Sequence, residues 1–166
     1  MPSTAFLAVY GALLSSFTLG WNIYRDFGDR ARLRVVARLR RLTRSAVSGQ
    51  VFAVDPNLAV PGKSEQLFVF LDVTNVGRRP VRWDSWGGKY RDRVGGDDSF
   101  AFIPVGLPKM LNEGESHSEF TENLHSDIDN VKRIFISDAA DKRWYLPRRA
   151  LRKLKKEVQK ERSAAG

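Results

Sequence analysis

Leu67-Phe68-Val69-Phe70-Leu71-Asp72-Val73-Thr74 is the stretch on which the fold turns. Five of its eight residues are aromatic or β-branched, and its first five positions are apolar on both faces. That is the pattern of a strand with neighbours on either side, so a central strand is expected here. The following Asn75-Val76-Gly77-Arg78-Arg79-Pro80 is turn chemistry, since Asn and Gly accept positive φ and Pro fixes its own. Residues 81–86 resume a strand that Gly87-Gly88 is expected to end. Residues 89–94 can pair with 100–104 across Gly95-Gly96-Asp97-Asp98.

Further strands are expected over 47–54, 116–121, 131–137 and 143–146, with turns at Asp55-Pro56-Asn57, Pro61-Gly62, Glu113-Gly114-Glu115 and 138–142. Six to eight short strands at spacings of roughly 8–15 residues predict a mainly β fold, an immunoglobulin-like β-sandwich. Residues 30–42 fit two periods. Leu33, Val35, Ala37 and Leu39 alternate as in a strand, whereas Leu33, Val36, Leu39 and Leu42 suit an interfacial helix. The β-branched pair Val35-Val36 at the centre favours the strand.

The chain has 166 residues, no cysteine and two histidines, with 28 Lys+Arg against 19 Asp+Glu and a formal charge of +9. The charge is unevenly distributed. Residues 1–24 carry none, 25–44 carry +6 through eight Arg and two Asp, 45–141 carry −5, and 142–166 carry +8. The uncharged block contains twenty residues, 5–24. At about 1.5 Å each they span roughly the 30 Å of a bilayer core. Trp21 and Tyr24 close it, where amphipathic rings favour the headgroup interface. A cleaved signal peptide would want positive charge before the apolar run and a small-x-small site after it; neither is present. A transmembrane anchor is therefore expected over 1–24. The positive-inside rule then puts Met1–Thr4 outside and everything after the span in the cytoplasm, with Arg25, Arg30, Arg32 and Arg34 as topology and lipid contacts. Thr4, Ala8, Ala12, Ser16 and Gly20 recur every four residues and offer a helix-packing face for homodimerisation.

The organisation expected is an anchor at 1–24, a basic juxtamembrane segment at 25–44, a β-sandwich at 45–146 and a basic C-terminal helix at 147–166. Pro147 suits a helix's first turn. Leu151, Leu154 and Val158 form an apolar stripe that can pack on the sandwich or face lipid. Arg148, Arg149, Arg152, Lys153, Lys155 and Lys156 are the tail's candidate contacts with an anionic leaflet.

No nucleophile elbow, P-loop, dinucleotide fingerprint or HExxH helix occurs, so no catalytic residue, cofactor or metal is expected. The alternative of a loop-built ligand, metal or enzymatic site rests on His117, Glu119, Glu122 and His125. A second alternative is nucleic-acid binding through the basic flanks, with Trp83 or Trp86 as stacking surfaces. The acidic middle tells against it. Trp83, Trp86 and Trp144 are otherwise candidate core, and any of them found exposed is a candidate partner contact.

The order Val73-Thr-Asn-Val-Gly-Arg-Arg-Pro-Val81, Gly87-Gly88, Gly106-Leu-Pro-Lys-Met-Leu111, Glu113-Gly-Glu115 and Leu146-Pro-Arg-Arg-Ala-Leu151 resembles small uncharacterised bacterial membrane-anchored β-sandwich proteins. The likeness covers roughly residues 67–154. In that group a Pro-Gly-Glu turn is usual where Glu113-Gly114-Glu115 stands, and a Gly where Asp141 stands. The resemblance implies the fold and a membrane address. The expectation is a single-pass membrane protein whose cytosolic sandwich is a binding or scaffolding module for a protein partner, held to the inner leaflet by its basic tail.

Overall fold

The computed structural model describes residues 2–45, 47–122 and 124–165; the side chains of residues 2–5, 27, 28, 65 and 165 lie outside that description. Helix α1 (Pro2–Gly28) is followed by β1 (Leu33–Arg44), β2 (Val51–Val54), β3 (Lys63–Asn75), β4 (Val81–Val94), β5 (Asp97–Phe102), β6 (Lys109–Leu111) and β7 (Ser116–Thr121). A single turn α2 (Leu124–Asp127) and a 3-10 turn at Ile128–Asn130 lead into β8 (Val131–Asp138), β9 (Arg143–Tyr145) and α3 (Arg148–Ala165). The chain is mainly β. One antiparallel sheet has the order β2-β1-β3-β7, the other β5-β4-β8-β9, with β6 paired to the start of β4.

Alternation along the strands builds the shared core. Val69, Leu71 and Val73 of β3 are fully buried. From the other sheet come Trp83, Trp86, Ile134 and Ile136, also closed to solvent. On the opposite face of β3, Phe68 and Phe70 meet Phe120 of β7 at ring-centroid distances of 5.6 and 5.0 Å. Both faces of β3 are therefore occupied, which is why its sequence lacks simple alternation.

Three expectations are sharpened or changed. First, the strand favoured over 30–42 is β1, which begins at Leu33 and continues to Arg44, pairing antiparallel with β3 from Leu33↔Asn75 onward. The basic segment expected at 25–44 is thus partly an integral strand of the first sheet. Arg34, Arg38 and Arg44 are exposed and Arg41 is largely buried, while Leu33, Val35 and Leu39 enter the core. Second, Gly87-Gly88 does not end a strand. β4 runs straight through them, because a Cβ at Gly87 would lie 2.3 Å from the Phe100 carbonyl oxygen and one at Gly88 2.4 Å from that of Arg133. These glycines admit close neighbours on both sides rather than a turn. Third, the strand expected at 47–54 is confined to Val51–Val54. Ser45 Oγ accepts from the Val47 and Ser48 amides at 3.3 and 3.1 Å, making a side-chain-closed turn before it.

α3 lies against β1, β8 and the 3-10 turn. Leu151, Leu154 and Val158 are buried in the common core, so the apolar stripe is used by protein and the charged face remains outside. Arg41 of β1 and Glu161 of α3 form a largely buried ion pair at 3.1 Å. Within the tail expected at 147–166, α3 is therefore packed on the folded body.

Candidate functional site

Two features stand apart from the core: α1 and a basic groove. Phe6–Asp26 is long and apolar enough to cross a membrane, and none of it is buried against the rest of the chain. Phe6, Leu7, Leu13, Phe17 and Leu19 are all more than half exposed. Thr18 returns its hydroxyl to the Leu14 carbonyl at 2.9 Å, so it does not present an unpaired donor to an apolar surround. The rings of Trp21 and Tyr24 lie 6.0 Å apart near the end of this apolar stretch. Ala8, Ala12, Ser16 and Gly20 are exposed on the helix, and a Cβ at Gly20 would meet nothing. The Thr4 side chain and Met1 lie outside the described residues.

The helix joins the body where β3 ends and β4 begins. Asp26 pairs with Arg79 at 3.1 Å and Asp29 with Arg78 at 3.5 Å. The Arg32 carbonyl accepts from the amides of Val76 and Gly77 at 2.9 and 3.2 Å. Arg25, Arg30, Arg32 and Arg34 are exposed around this junction and the start of β1.

The second feature is a groove of about 560 Å³ between the far end of β4, the start of β8 and α3. It is lined by Arg91, Lys132, Arg133, Arg148, Arg152 and Lys155, with Val131 and Leu151 at its apolar floor. Arg148, Arg152 and Lys155 share a helix face by their spacing of four and three residues. Lys132 and Arg133 are neighbours in sequence, and consecutive strand residues normally point to opposite faces. Here the register jumps from Lys89↔Arg133 to Tyr90↔Val131, leaving Lys132 as the extra residue of a bulge. The bulge lets both cations line one groove. Lys155 Nζ donates to the carbonyls of Asp129 and Val131 at 2.8 and 2.7 Å. Burial and the neighbouring Arg91 push its ammonium below the usual lysine range, against an opposite pull from Asp129.

A second groove, about 620 Å³ between β1, α3 and the loop after β2, carries mixed charge: Arg38, Arg40, Lys153 and Lys160 face Asp55, Glu157 and Glu161. The Asn57 amide holds the Asp55 carboxyl below the usual carboxylate range.

The residues of the metal alternative fall into two pairs. His117 and Glu119 lie on one face of β7 with Nε2 and Oε1 2.8 Å apart. His125 Nδ1 contacts the backbone carbonyl of Glu122, whose carboxylate accepts from Gln66 Nε2 at 2.6 Å. Among the described residues no group of three or more His, Cys, Asp or Glu is placed to hold a metal ion. Trp83 and Trp86 are core, and Trp144 is half-buried beneath Lys142, whose Nζ is 4.9 Å from its ring centroid. Neither indole of β4 is available for stacking.

Of the tail cations singled out from sequence, the groove takes Arg148, Arg152 and Lys155 and leaves Arg149, Lys153 and Lys156 outside it. Arg91, Lys132 and Arg133 were hidden in the net-acidic middle. The one sequence signal was the basic pair Lys132-Arg133 against the apolar run of β8.

No family model, curated protein or solved structure matches the chain.

Proposed function

We propose that the chain is a single-pass membrane protein presenting a cytosolic immunoglobulin-like β-sandwich as a binding or scaffolding module. The observation that carries this reading is the contrast between the two long helices. α3 buries Leu151, Leu154 and Val158 in the core, whereas the apolar side chains of Phe6–Asp26 are covered by nothing among the described residues. An uncovered apolar helix of this length is a poor solution in water and a good one in a bilayer.

The immunoglobulin-like reading is supported by strand order. β1-β3-β7 facing β5-β4-β8-β9 corresponds to A-B-E facing C′-C-F-G, with β2 extending one edge and β6 an added short strand. A tryptophan buried on the third strand of that order is a hallmark of such sandwiches, and β4 carries two. The eight arginines between residues 25 and 44 support a cytoplasmic body, by the positive-inside rule.

Extraction of membranes from cells expressing the full chain tests the anchor. The protein is expected to stay with the bilayer through alkaline carbonate and high salt and to leave only in detergent. Release by carbonate would overturn the reading.

A further inference from the structure

We propose that the groove between β4, β8 and α3 binds a phosphoryl group bearing at least two negative charges. This goes beyond the membrane-module reading and stands on residues of the folded body alone. Six of the eight lining residues are cationic, and among the described residues no carboxylate lines the groove. Among the described residues, none of Arg91, Lys132, Arg148 and Arg152 has an ion-pair partner within the chain. Asp129, whose charge acts on Lys155, is engaged elsewhere: its carboxylate accepts from Arg162 at 2.9 Å and from Gln159 at 3.1 Å. Like charges held together without a counter-ion disfavour the empty groove, and a polyanion relieves that repulsion.

Three structural devices gather these cations. The bulge brings Lys132 and Arg133 to one side, the helix face aligns Arg148, Arg152 and Lys155, and two backbone carbonyls hold the Lys155 ammonium in place. α3 also opens at Arg148 directly after Pro147, so the amides of its first turn add donors and a positive helix end to the same rim. Guanidinium groups in this number suit phosphoryl oxygens, which accept paired N–H bonds. The groove's volume is that of a small-molecule site.

A phosphoryl group can come from a soluble phosphorylated molecule or from a lipid headgroup. α1 joins the body beside Arg78 and Arg79, and β4 then runs away from that junction. Arg91 lies ten residues beyond Val81, roughly 33 Å along the strand at 3.3 Å per residue. That separation favours the soluble source.

The test uses the full chain in phosphatidylcholine nanodiscs at physiological salt. One arm titrates inorganic tripolyphosphate by calorimetry; the other measures association with separate vesicles containing phosphatidate. Two double variants carry equal charge loss: Arg91→Gln with Arg152→Gln inside the groove, and Arg149→Gln with Lys156→Gln outside it. Saturable tripolyphosphate binding is expected, weakened at least tenfold by the groove pair and less than twofold by the outside pair, with both variants melting as the parent does. Groove-dependent binding of phosphatidate vesicles without tripolyphosphate binding would keep the site and assign it to headgroups. Equal weakening by both pairs, binding that instead tracks the length of a single-stranded oligonucleotide, or no binding in either arm would overturn the proposal.

Discussion

Asn75 is fully buried and uses its side chain three times. It donates to the carbonyls of Arg79 and Leu111, each at 2.9 Å, and accepts the Gly77 amide at 3.0 Å. One side chain thereby ties the β3–β4 connection to β6. Replacement by Ala leaves buried backbone groups unpaired, and a loss of about 2–3 kcal/mol is expected in denaturant unfolding of the detergent-solubilised protein. The Asn-Val-Gly turn was legible in the sequence, but its reason was not. Neither Asn75 nor Gly77 takes positive φ. Gly77 is required because a Cβ there would lie 2.3 Å from the Arg30 carbonyl oxygen, a contact between segments far apart in the chain. Asp141, by contrast, does adopt φ 55°, so the left-handed turn survives without glycine. Asp141→Gly should therefore stabilise the protein, by about 0.5 kcal/mol after the entropy of the unfolded glycine is offset. The two core indoles also separate. Trp83 Nε1 donates to the Ser85 carbonyl at 2.8 Å, whereas Trp86 Nε1 is buried with no hydrogen-bond acceptor among the described residues. Trp83→Phe should cost about 1 kcal/mol more than Trp86→Phe, read as the difference in unfolding midpoints.

At the scale of elements, the decisive distinction is between two helices that use apolar residues differently. α1 is apolar over its whole circumference, and α3 carries one narrow stripe in a cationic background. That contrast is visible in sequence. Whether the stripe of α3 meets protein or lipid is not, because both solutions present the same period. Packing decides it: Leu154 and Val158 are closed to solvent between β1 and β8. Leu154→Ala is accordingly expected to destabilise the body by about 2–5 kcal/mol, as a core truncation does, while leaving membrane retention through α1 unchanged. Thermal unfolding and carbonate extraction of the same variant separate the two effects. β4 shows the opposite limit of local reading. Gly87-Gly88 carries the composition of a terminator, yet the residues that demand glycine come from β5 and β8, and their approach follows from the sheet rather than from neighbours in sequence.

For the whole molecule, the excess of positive charge has two separate structural uses. The arginines of residues 25–44 follow α1 and continue along β1, Arg41 turning into its ion pair with Glu161, while half of the tail's candidate cations join three from the net-acidic middle in one groove. Composition alone offers a reading of the first, because the positive-inside rule counts residues along the chain. It could not carry the second. Arg91, Lys132-Arg133 and the α3 face come from three segments, and a bulge in β8 is needed to bring them together.

The central claim is that α1 crosses a membrane and leaves the body in the cytoplasm. The absence of cysteine makes it directly measurable. Val105→Cys puts a thiol on a fully exposed loop of the body, and Leu13→Cys puts one at the middle of the span. With a membrane-impermeant maleimide, Cys at 105 should label in inverted vesicles and not in intact cells, and Cys at 13 should label in neither until detergent is added. Labelling at 105 in intact cells, or ready labelling at 13 without detergent, would contradict the account.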